Sequence, residues 1–174
     1  YDHYQKQTYR NRCVIAAPDG PLSLTVPIEK PNTQKAFMRD IRISDHGNWR
    51  HLHWNAIESA YNHTPFFEYY KDDFRPFYEK KFDFLVDYNE QLCQLVCQLI
   101  DIDTSFQRTE SYIAEPSNTI IDLRDAIHPK KELMNDASFG VIPYYQVFQE
   151  RLGFLPNLSI IDLLFNMGPE AILV

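Results

Sequence analysis

The sequence predicts an α+β fold, in which a small, mainly antiparallel sheet near the N-terminus packs against several α-helices. Two patterns support this class: apolar and polar side chains alternate in short runs before residue 45, and apolar side chains recur every three or four positions after it. A third observation is composition, since 44% of the 174 residues are apolar and 14% are aromatic. That content suffices to bury one sizeable core, so residues 1–174 are expected to form a single domain.

The predicted sheet begins with a β-hairpin. Arg12 to Ala17 alternates and contains valine and isoleucine, and Leu22 to Ile28 has the same character. Between them lies Pro18-Asp19-Gly20, a sequence typical of tight turns. After a polar loop, Ile41 to Ile43 alternates again, which predicts a third short strand.

Helical periodicity begins at Trp49. Trp49 to Tyr61 repeats its apolar residues at spacings of three and four, and Ser44 or Asp45 is expected to cap its start. A second helix is predicted from Pro65 to Tyr70, because proline is favoured in the first turn. Phe82 to Ile100 carries one broad apolar stripe, which predicts the core helix.

The C-terminal half gives weaker signals at first and clearer ones later. Gln107 to Ile113 is compatible with a strand, and Ile120 to Ala126 suits either a strand or a short helix. Pro143 to Arg151 is predicted as a helix that ends before a glycine. Leu158 to Asn166 is predicted as another, with Gly168 just beyond its end.

Charge and hydropathy exclude several classes of protein. The chain has 17 basic and 24 acidic residues, a net charge of -7, which argues against nucleic acid as a partner. No apolar stretch is long enough for a membrane span, and no basic-then-apolar segment opens the chain as a secretory signal does. A cytoplasmic location is therefore expected. The sequence does not indicate an oligomeric state.

Three cysteines, Cys13, Cys93 and Cys97, are expected to be buried thiols. An odd number cannot pair fully within one chain, and no other feature suggests an oxidising compartment. A zinc site would need two further ligands at suitable spacing, so no metal is assigned. The cofactor, if the protein uses one, is unknown from the sequence.

The first candidate binding cluster is Arg10-Asn11-Arg12. Alternation would place Arg10 and Arg12 on one face of the hairpin and Asn11 on the other. Paired guanidinium groups suit a carboxylate or phosphate, such as the diphosphate of a sugar nucleotide. The alternative interpretation is a solvated edge strand.

The second candidate is the stripe His53, Ile57 and Tyr61, which lies along one face of the predicted helix. His53 fits either a packed core with a hydrogen-bonded imidazole or a pocket wall with a general base. His51 points about 200° away from His53, so the two are not expected to share a metal.

Two further segments combine polar and apolar character. The aromatic run at residues 66–70 is expected to pack inward or to line a groove in which sugars stack. Asp162 lies between Ile161 and Leu163. It is expected either to face water or to meet Arg10, Arg12 or Arg124 inside the fold.

Several of these segments resemble the WbqC-like family. The similar positions are Arg10-Asn11-Arg12, Leu24-Thr25-Val26-Pro27, Trp49, His53-Trp54, Tyr61, Pro65-Phe66-Phe67, and Asn157 to Asn166 with Gly168. The family is associated with clusters that make O-antigen, capsule and related bacterial surface glycans. Family members begin with a further segment rich in proline, tyrosine and glutamine, so the chain is expected to lack its N-terminal segment before Tyr1.

The resemblance implies a site and a cellular context. It implies His53 and Tyr61 as catalytic candidates, and as substrate-binding candidates Arg10, Asn11, Arg12, Tyr145, Gln146 and Asn166. As an enzyme, the protein would transfer a group on a nucleotide-linked or lipid-linked amino sugar, with the arginines holding an anionic donor and His53 moving a proton. As a noncatalytic partner, it would instead bind another pathway enzyme or a glycan through an exposed aromatic surface.

Overall fold

The fold is described from a computed structural model that covers residues 2–33, 35–117, 119–124, 127–129 and 140–174. Its strands and α-helices, in chain order, are β1 (Arg12–Ala17), β2 (Gly20–Thr25), α1 (Trp49–Tyr61), α2 (Phe67–Phe74), α3 (Pro76–Glu79), α4 (Leu85–Leu99), α5 (Gln149–Leu152) and α6 (Ile160–Met167). Short 3-10 helices occupy Met38–Asp40, His46–Asn48 and Gly168–Leu173. A small antiparallel sheet near the N-terminus with helices after it confirms the α+β class.

The hairpin forms where the sequence predicts it. β1 and β2 pair antiparallel, from Arg12 opposite Thr25 to Ala17 opposite Gly20. Gly20 has a φ of +126°, a backbone conformation that suits glycine far better than other residues. β2 ends at Thr25 rather than at the predicted Ile28, since Pro27 lies in the remaining stretch and has no N–H to donate to a ladder.

The predicted third strand is reduced to single bridges. Ile43 pairs with Ile28, and Arg42 pairs with Phe84. This segment runs between two different partners, the continuation of β2 on one side and the chain before α4 on the other. It therefore forms isolated pairs with each and not a continuous ladder.

α1 has the predicted bounds, but its N-terminal cap differs from the prediction. The expected side-chain cap from Ser44 or Asp45 is absent, and Asn48 precedes the helix in a left-handed conformation with a φ of +48°. Asp45 instead forms ion pairs with Arg50 and Lys81, whose hydrogen bonds lower the pKa of its carboxyl. The prediction of the cap was therefore wrong.

The predicted core helix is shorter and more exposed than expected. α4 starts at Leu85 instead of Phe82, because Phe84 is extended and pairs with Arg42. Only Leu85 and Tyr88 of α4 are fully buried. One face of α4 is thus available to line a cleft.

The C-terminal predictions were partly wrong. Residues 107–113 form no strand, and residues 120–124 are irregular, while Asp125 and Ala126 lie outside the described residues. The helix predicted from Pro143 begins only at Gln149. Within the described ranges, no helix has both the length and the apolar character needed to cross a bilayer.

Two apolar clusters form the core. The larger joins the hairpin to α1, α2 and α6, and three rings pack edge to face against Phe165. These rings are Tyr61, Phe67 and Phe74, with centroid distances of 5.2, 5.2 and 5.6 Å. The smaller cluster holds the start of α4 against Trp49, Ile41 and Ile43.

Candidate functional site

Two adjoining cavities lie along the exposed face of α4, and we call them together the α4 cleft. The larger has a volume of about 620 Å³ and the smaller one of about 370 Å³. Asp2, Met38, Val86 and Glu90 line both cavities. Described residues between positions 106 and 124, which lie in neither a helix nor a strand, form the opposite wall.

Three arginine–carboxylate ion pairs line the α4 cleft. They are Arg10–Asp2, Arg108–Glu90 and Arg124–Asp122. In the last pair, Arg124 Nε donates to Asp122 Oδ1 over 2.8 Å, and the hydrogen bonds from Arg124 lower the pKa of Asp122 to about 2. Each pair fixes a planar guanidinium group, which is the side chain best matched to phosphate and carboxylate oxygens.

Arg10 is the predicted site residue that lines this cleft. Its side chain is 14% exposed, and its Nε donates to Asp2 Oδ2 over 3.0 Å. Asn89 on α4 fixes the backbone at the same position, because its Nδ2 donates to the Arg10 carbonyl over 2.8 Å. Arg10 is thus held from both the N-terminal segment and α4.

The two residues that follow Arg10 have different surroundings. Asn11 is buried, and its Nδ2 donates to the Val26 carbonyl over 2.9 Å, which extends the hairpin by one side-chain contact. Arg12 Nε donates to Thr25 Oγ1 over 3.2 Å, across the first pair of the sheet. Neither residue lines the α4 cleft. The three predicted binding residues are therefore not gathered at one cavity.

His53 packs among aromatic rings. Its ring centroid lies 5.2 Å from Trp49 and 6.5 Å from Tyr78. Burial lowers the pKa of His53 from 6.5 to about 4. Such an imidazole is neutral at pH 7, and His53 does not line the α4 cleft.

We expect His53 to lower the free energy of unfolding in acid. Its folded pKa lies below its unfolded value, so its contribution is complete above pH 6.5 and is lost as the pH falls toward 4. Each pKa unit corresponds to ~1.4 kcal/mol, and the solvent-facing part of the ring reduces the effect, which leaves about 1–2 kcal/mol.

Urea unfolding at pH 7.5 and 4.5 measures this contribution. His53→Gln should lose less stability between the two pH values than the wild type does. His51→Gln is the matched control, since His51 is exposed on the same helix and should behave as wild type. An unchanged pH dependence in His53→Gln would contradict the assignment.

Tyr61 belongs to a buried polar group centred on Asp162, which we call the Asp162 hub. Both side chains are 0% exposed. Asp162 accepts hydrogen bonds from the Tyr61 hydroxyl over 2.8 Å, the Tyr144 hydroxyl over 2.8 Å and Gln146 Nε2 over 3.3 Å. Tyr61 in turn accepts from the Ala16 amide of β1 over 3.1 Å.

The location of Asp162 differs from both expectations for it. It neither faces water nor meets an arginine, since its side-chain partners among the described residues are two hydroxyls and one amide. Burial raises the pKa of Asp162 above 3.8, and the three hydrogen bonds oppose that rise. Burial is also the main cause of the raised pKa values of Tyr61 and Tyr144.

Gln146 and Asn166 complete the hub as structural links. Gln146 exchanges two hydrogen bonds of 2.8 Å with the backbone of Leu155. Asn166 donates to the Asp162 carbonyl over 2.7 Å and accepts from the Val147 amide over 3.1 Å. Tyr145 points elsewhere and is 48% exposed.

The aromatic run at residues 66–70 mostly packs inward. Phe67 and Tyr70 are buried, Phe66 is half-buried, and Tyr69 is 73% exposed. A single exposed tyrosine does not make the contiguous aromatic surface that a glycan-binding or protein-binding face would need.

The three cysteines have free thiols, but they are not all buried. Burial raises the pKa of Cys13 to about 11, whereas Cys93 is exposed and lines the smaller cavity. The prediction of a buried thiol was therefore wrong for Cys93. Among the described residues, no group of three or more histidine, cysteine and acidic side chains is placed to hold a metal ion.

A family comparison identifies the kind of protein. The model of the WbqC-like protein family matches residues 1–140. The chain belongs to the WbqC-like protein family. The part matched to the WbqC-like family contains all residues that line the α4 cleft, whereas Tyr144, Gln146, Asp162 and Asn166 follow it.

A curated relative extends the comparison. This WbqC-like chain is similar to the uncharacterized protein Rv1507c of Mycobacterium tuberculosis (strain ATCC 25618 / H37Rv), with 25% identity over 189 residues. The alignment covers 97% of this chain and 81% of the relative. No solved structure matches the chain. The name of the relative specifies no activity.

Sequence reasoning about this WbqC-like chain missed most of the α4 cleft. The missed residues that carry charge are Asp2, Arg39, Asp87, Glu90, Arg108, Asp122 and Arg124. One signal was available, because Val86, Glu90 and Cys93 recur at helical spacing on one face of α4. The opposite wall has no regular structure, so it offers no periodicity from which to predict its position.

Proposed function

We propose that this protein acts in bacterial surface-polysaccharide biosynthesis in the cytoplasm, where it binds a nucleotide-linked amino sugar in the α4 cleft. The observation that supports this proposal most strongly is the cleft itself. It combines guanidinium groups, which suit a diphosphate, with carboxylates of the kind that can accept hydrogen bonds from sugar hydroxyls. Its larger cavity of about 620 Å³ is in the range that holds such small molecules.

Arg10 is proposed as the main contact to the anionic donor. Its guanidinium is positioned before any ligand arrives, because Asp2 holds its side chain and Asn89 holds its backbone. Pre-positioning reduces the entropy lost on binding. Arg108 and Arg124 approach from the opposite wall, so a diphosphate in the cleft would have cationic groups on more than one side.

The reaction class proposed is group transfer from the nucleotide-linked donor to an amine or hydroxyl, in which the bond to the diphosphate breaks and the nucleoside diphosphate leaves. Such a nucleophile gives up one proton, and His53 and Tyr61 were the sequence-based candidates to accept it. Neither lines the α4 cleft, so their catalytic roles stay predictions. Substrate binding by Asn11, Arg12, Tyr145, Gln146 and Asn166 likewise stays a prediction.

The alternative function, a noncatalytic partner of another pathway enzyme or a glycan, has one supporting observation. Four aliphatic side chains are exposed in the described residues 120–124 and 127–129: Ile120, Ile121, Leu123 and Ile127. Three of these also line the larger cavity, so a bound ligand would cover part of them. Donor binding therefore accounts for part of the same apolar surface.

Donor binding is expected to appear as a thermal shift. A nucleotide sugar at about 100 times its Kd should add roughly 2.7 kcal/mol of stability. Arg10→Gln should weaken binding by about tenfold to a hundredfold, since a hydrogen bond to a charged group is worth about 1.5–3 kcal/mol. The measurement is a melting screen against uridine and deoxythymidine diphosphate sugars.

Arg75→Gln is the matched control for Arg10→Gln. Arg75 also pairs with a carboxylate, Glu79, but it is exposed and does not line the cleft. Its ligand-induced shift should equal that of the wild type. Absence of a shift with every donor would refute the proposal and favour the partner hypothesis, and a shift unaffected by Arg10→Gln would place the ligand elsewhere.

A further inference from the structure

We infer that the smaller cavity of the α4 cleft is a pocket for the N-acyl group of the bound amino sugar. This inference rests on the proposed function, because it specifies which sugars the cleft takes. The two cavities share Asp2, Met38, Val86 and Glu90, so a ligand in the larger cavity can extend into the smaller one.

The walls of the smaller cavity suit an apolar substituent. Of its eight lining residues, Asp2, Arg10, Asn89 and Glu90 are polar or charged, and the other four are Met38, Val86, Phe106 and the thiol-bearing Cys93. Of these four side chains, three are apolar and the thiol is only a weak hydrogen-bonding group. A hydroxyl placed against them would lose its hydrogen bonds to water, whereas a methyl or a short acyl chain would gain from leaving water.

Asn89 supplies the polar contact that an amide needs. Its Nδ2 is committed to the Arg10 carbonyl at 2.8 Å, which sets the orientation of the side-chain amide. Its Oδ1 accepts no hydrogen bond from the described protein groups. Asn89 lines the cavity, and we assign this oxygen as the acceptor for the N–H of an acylamino group.

Arg10 connects the acyl pocket to the position proposed for the diphosphate. It lines the smaller cavity, and its guanidinium lies within 3.5 Å of the Arg124 carbonyl on the wall of the larger one. A diphosphate bound by Arg10 therefore lies next to the acyl pocket. An amino sugar attached to that diphosphate can direct its N-acyl group toward Asn89.

The pocket predicts selectivity between sugars that differ only at one substituent. Titration calorimetry should give an affinity at least tenfold higher for an N-acetylamino sugar nucleotide than for the matching hydroxyl sugar. Lengthening the acyl chain from acetyl to propanoyl should add about fourfold, the factor that ~0.8 kcal/mol per methylene represents. The probes are uridine and deoxythymidine diphosphate sugars in both forms.

Two substitutions test the pocket from different sides. Asn89→Ala removes the amide acceptor, and Val86→Phe fills the apolar space, so each should reduce the acetylamino-to-hydroxyl affinity ratio by about tenfold. Asn55→Ala is the matched control, since Asn55 is exposed on α1 and bonds only to His51 among the described residues. Its ratio should equal that of the wild type.

The outcomes separate this inference from the proposed function. Equal affinity for acetylamino and hydroxyl sugars would overturn the acyl pocket while leaving donor binding intact. A preference that survives both Asn89→Ala and Val86→Phe would also overturn it. If none of the sugar nucleotides binds, the proposed function fails, and the acyl pocket fails with it.

Discussion

Asp162→Ala is expected to lower the free energy of unfolding by about 3–5 kcal/mol. The substitution leaves the buried donors of Tyr61, Tyr144 and Gln146 without their acceptor. A buried donor that loses its partner costs about 1–3 kcal/mol, and rearrangement recovers part of the total. Urea unfolding of the wild type and the variant at pH 7 measures the difference.

A double-mutant cycle separates hub hydrogen bonds from general loss of packing. Tyr144→Phe should cost about 1 kcal/mol in the wild type, because it removes one hydrogen bond to Asp162. In the Asp162→Ala background the same change should cost close to nothing, since the acceptor is already gone. A cost for Asp162→Ala below about 1 kcal/mol would show that the hub does not stabilise the fold.

The pH dependence of this effect has a defined sign. Burial raises the pKa of Asp162 above its unfolded value of 3.8, so the folded protein holds this proton more tightly than the unfolded chain does. The stability contributed by Asp162 is therefore largest below pH 3.8 and decreases as the pH rises through the folded pKa. The stability difference between wild type and Asp162→Ala should narrow over that range.

The Asp162 hub also shows why sequence reasoning identified this residue without its partners. Helical spacing marks Asp162 as a polar residue on an apolar helix, which is a local property. Its partner Tyr61 lies 101 positions earlier in the chain, and Tyr144 and Gln146 lie in a segment that was predicted as helix. Two tyrosine hydroxyls and an amide replace the arginine that a buried carboxylate was expected to require.

Local patterns predicted the elements that depend mainly on local forces. β1 and α1 have the bounds that alternation and periodicity indicate. The prediction that alternation places Arg10 on the same face as Arg12 was wrong. β1 begins only at Arg12, and the chain before it does not form a strand. Arg10 and Arg12 therefore have different environments, although a continuous strand would have placed them on one face.

Tertiary contacts explain the two helices that were predicted too long. The helix expected from Pro143 starts late because the Val147 amide donates to Asn166 Oδ1, so it does not donate to the Pro143 carbonyl as it would in that helix. α4 starts late because Phe84 pairs with Arg42. Periodicity reports which residues are apolar and gives no information on such competing partners.

Gly168→Ala is expected to destabilise the fold by about 2–6 kcal/mol. A Cβ at this position would lie 2.5 Å from two carbons of the Phe66 ring, and the backbone has a φ of +58°. Phe66 has little freedom to move away, because its amide donates to the Phe165 carbonyl and its own carbonyl accepts from the amides of Tyr69 and Tyr70. Overpacking costs about 1–3 kcal/mol, and backbone strain adds a similar amount.

Gly153→Ala separates the two contributions to that loss. Gly153 has a φ of +71°, but its added Cβ would have nothing within 4 Å, so this variant should show only the backbone strain of about 1–3 kcal/mol. Urea unfolding should therefore rank Gly168→Ala as clearly the less stable variant. Adding Phe66→Leu should recover part of the loss in Gly168→Ala, since the smaller side chain can vacate the space. Equal stability of the two glycine variants would mean that the Phe66 ring yields to the new methyl group at no cost.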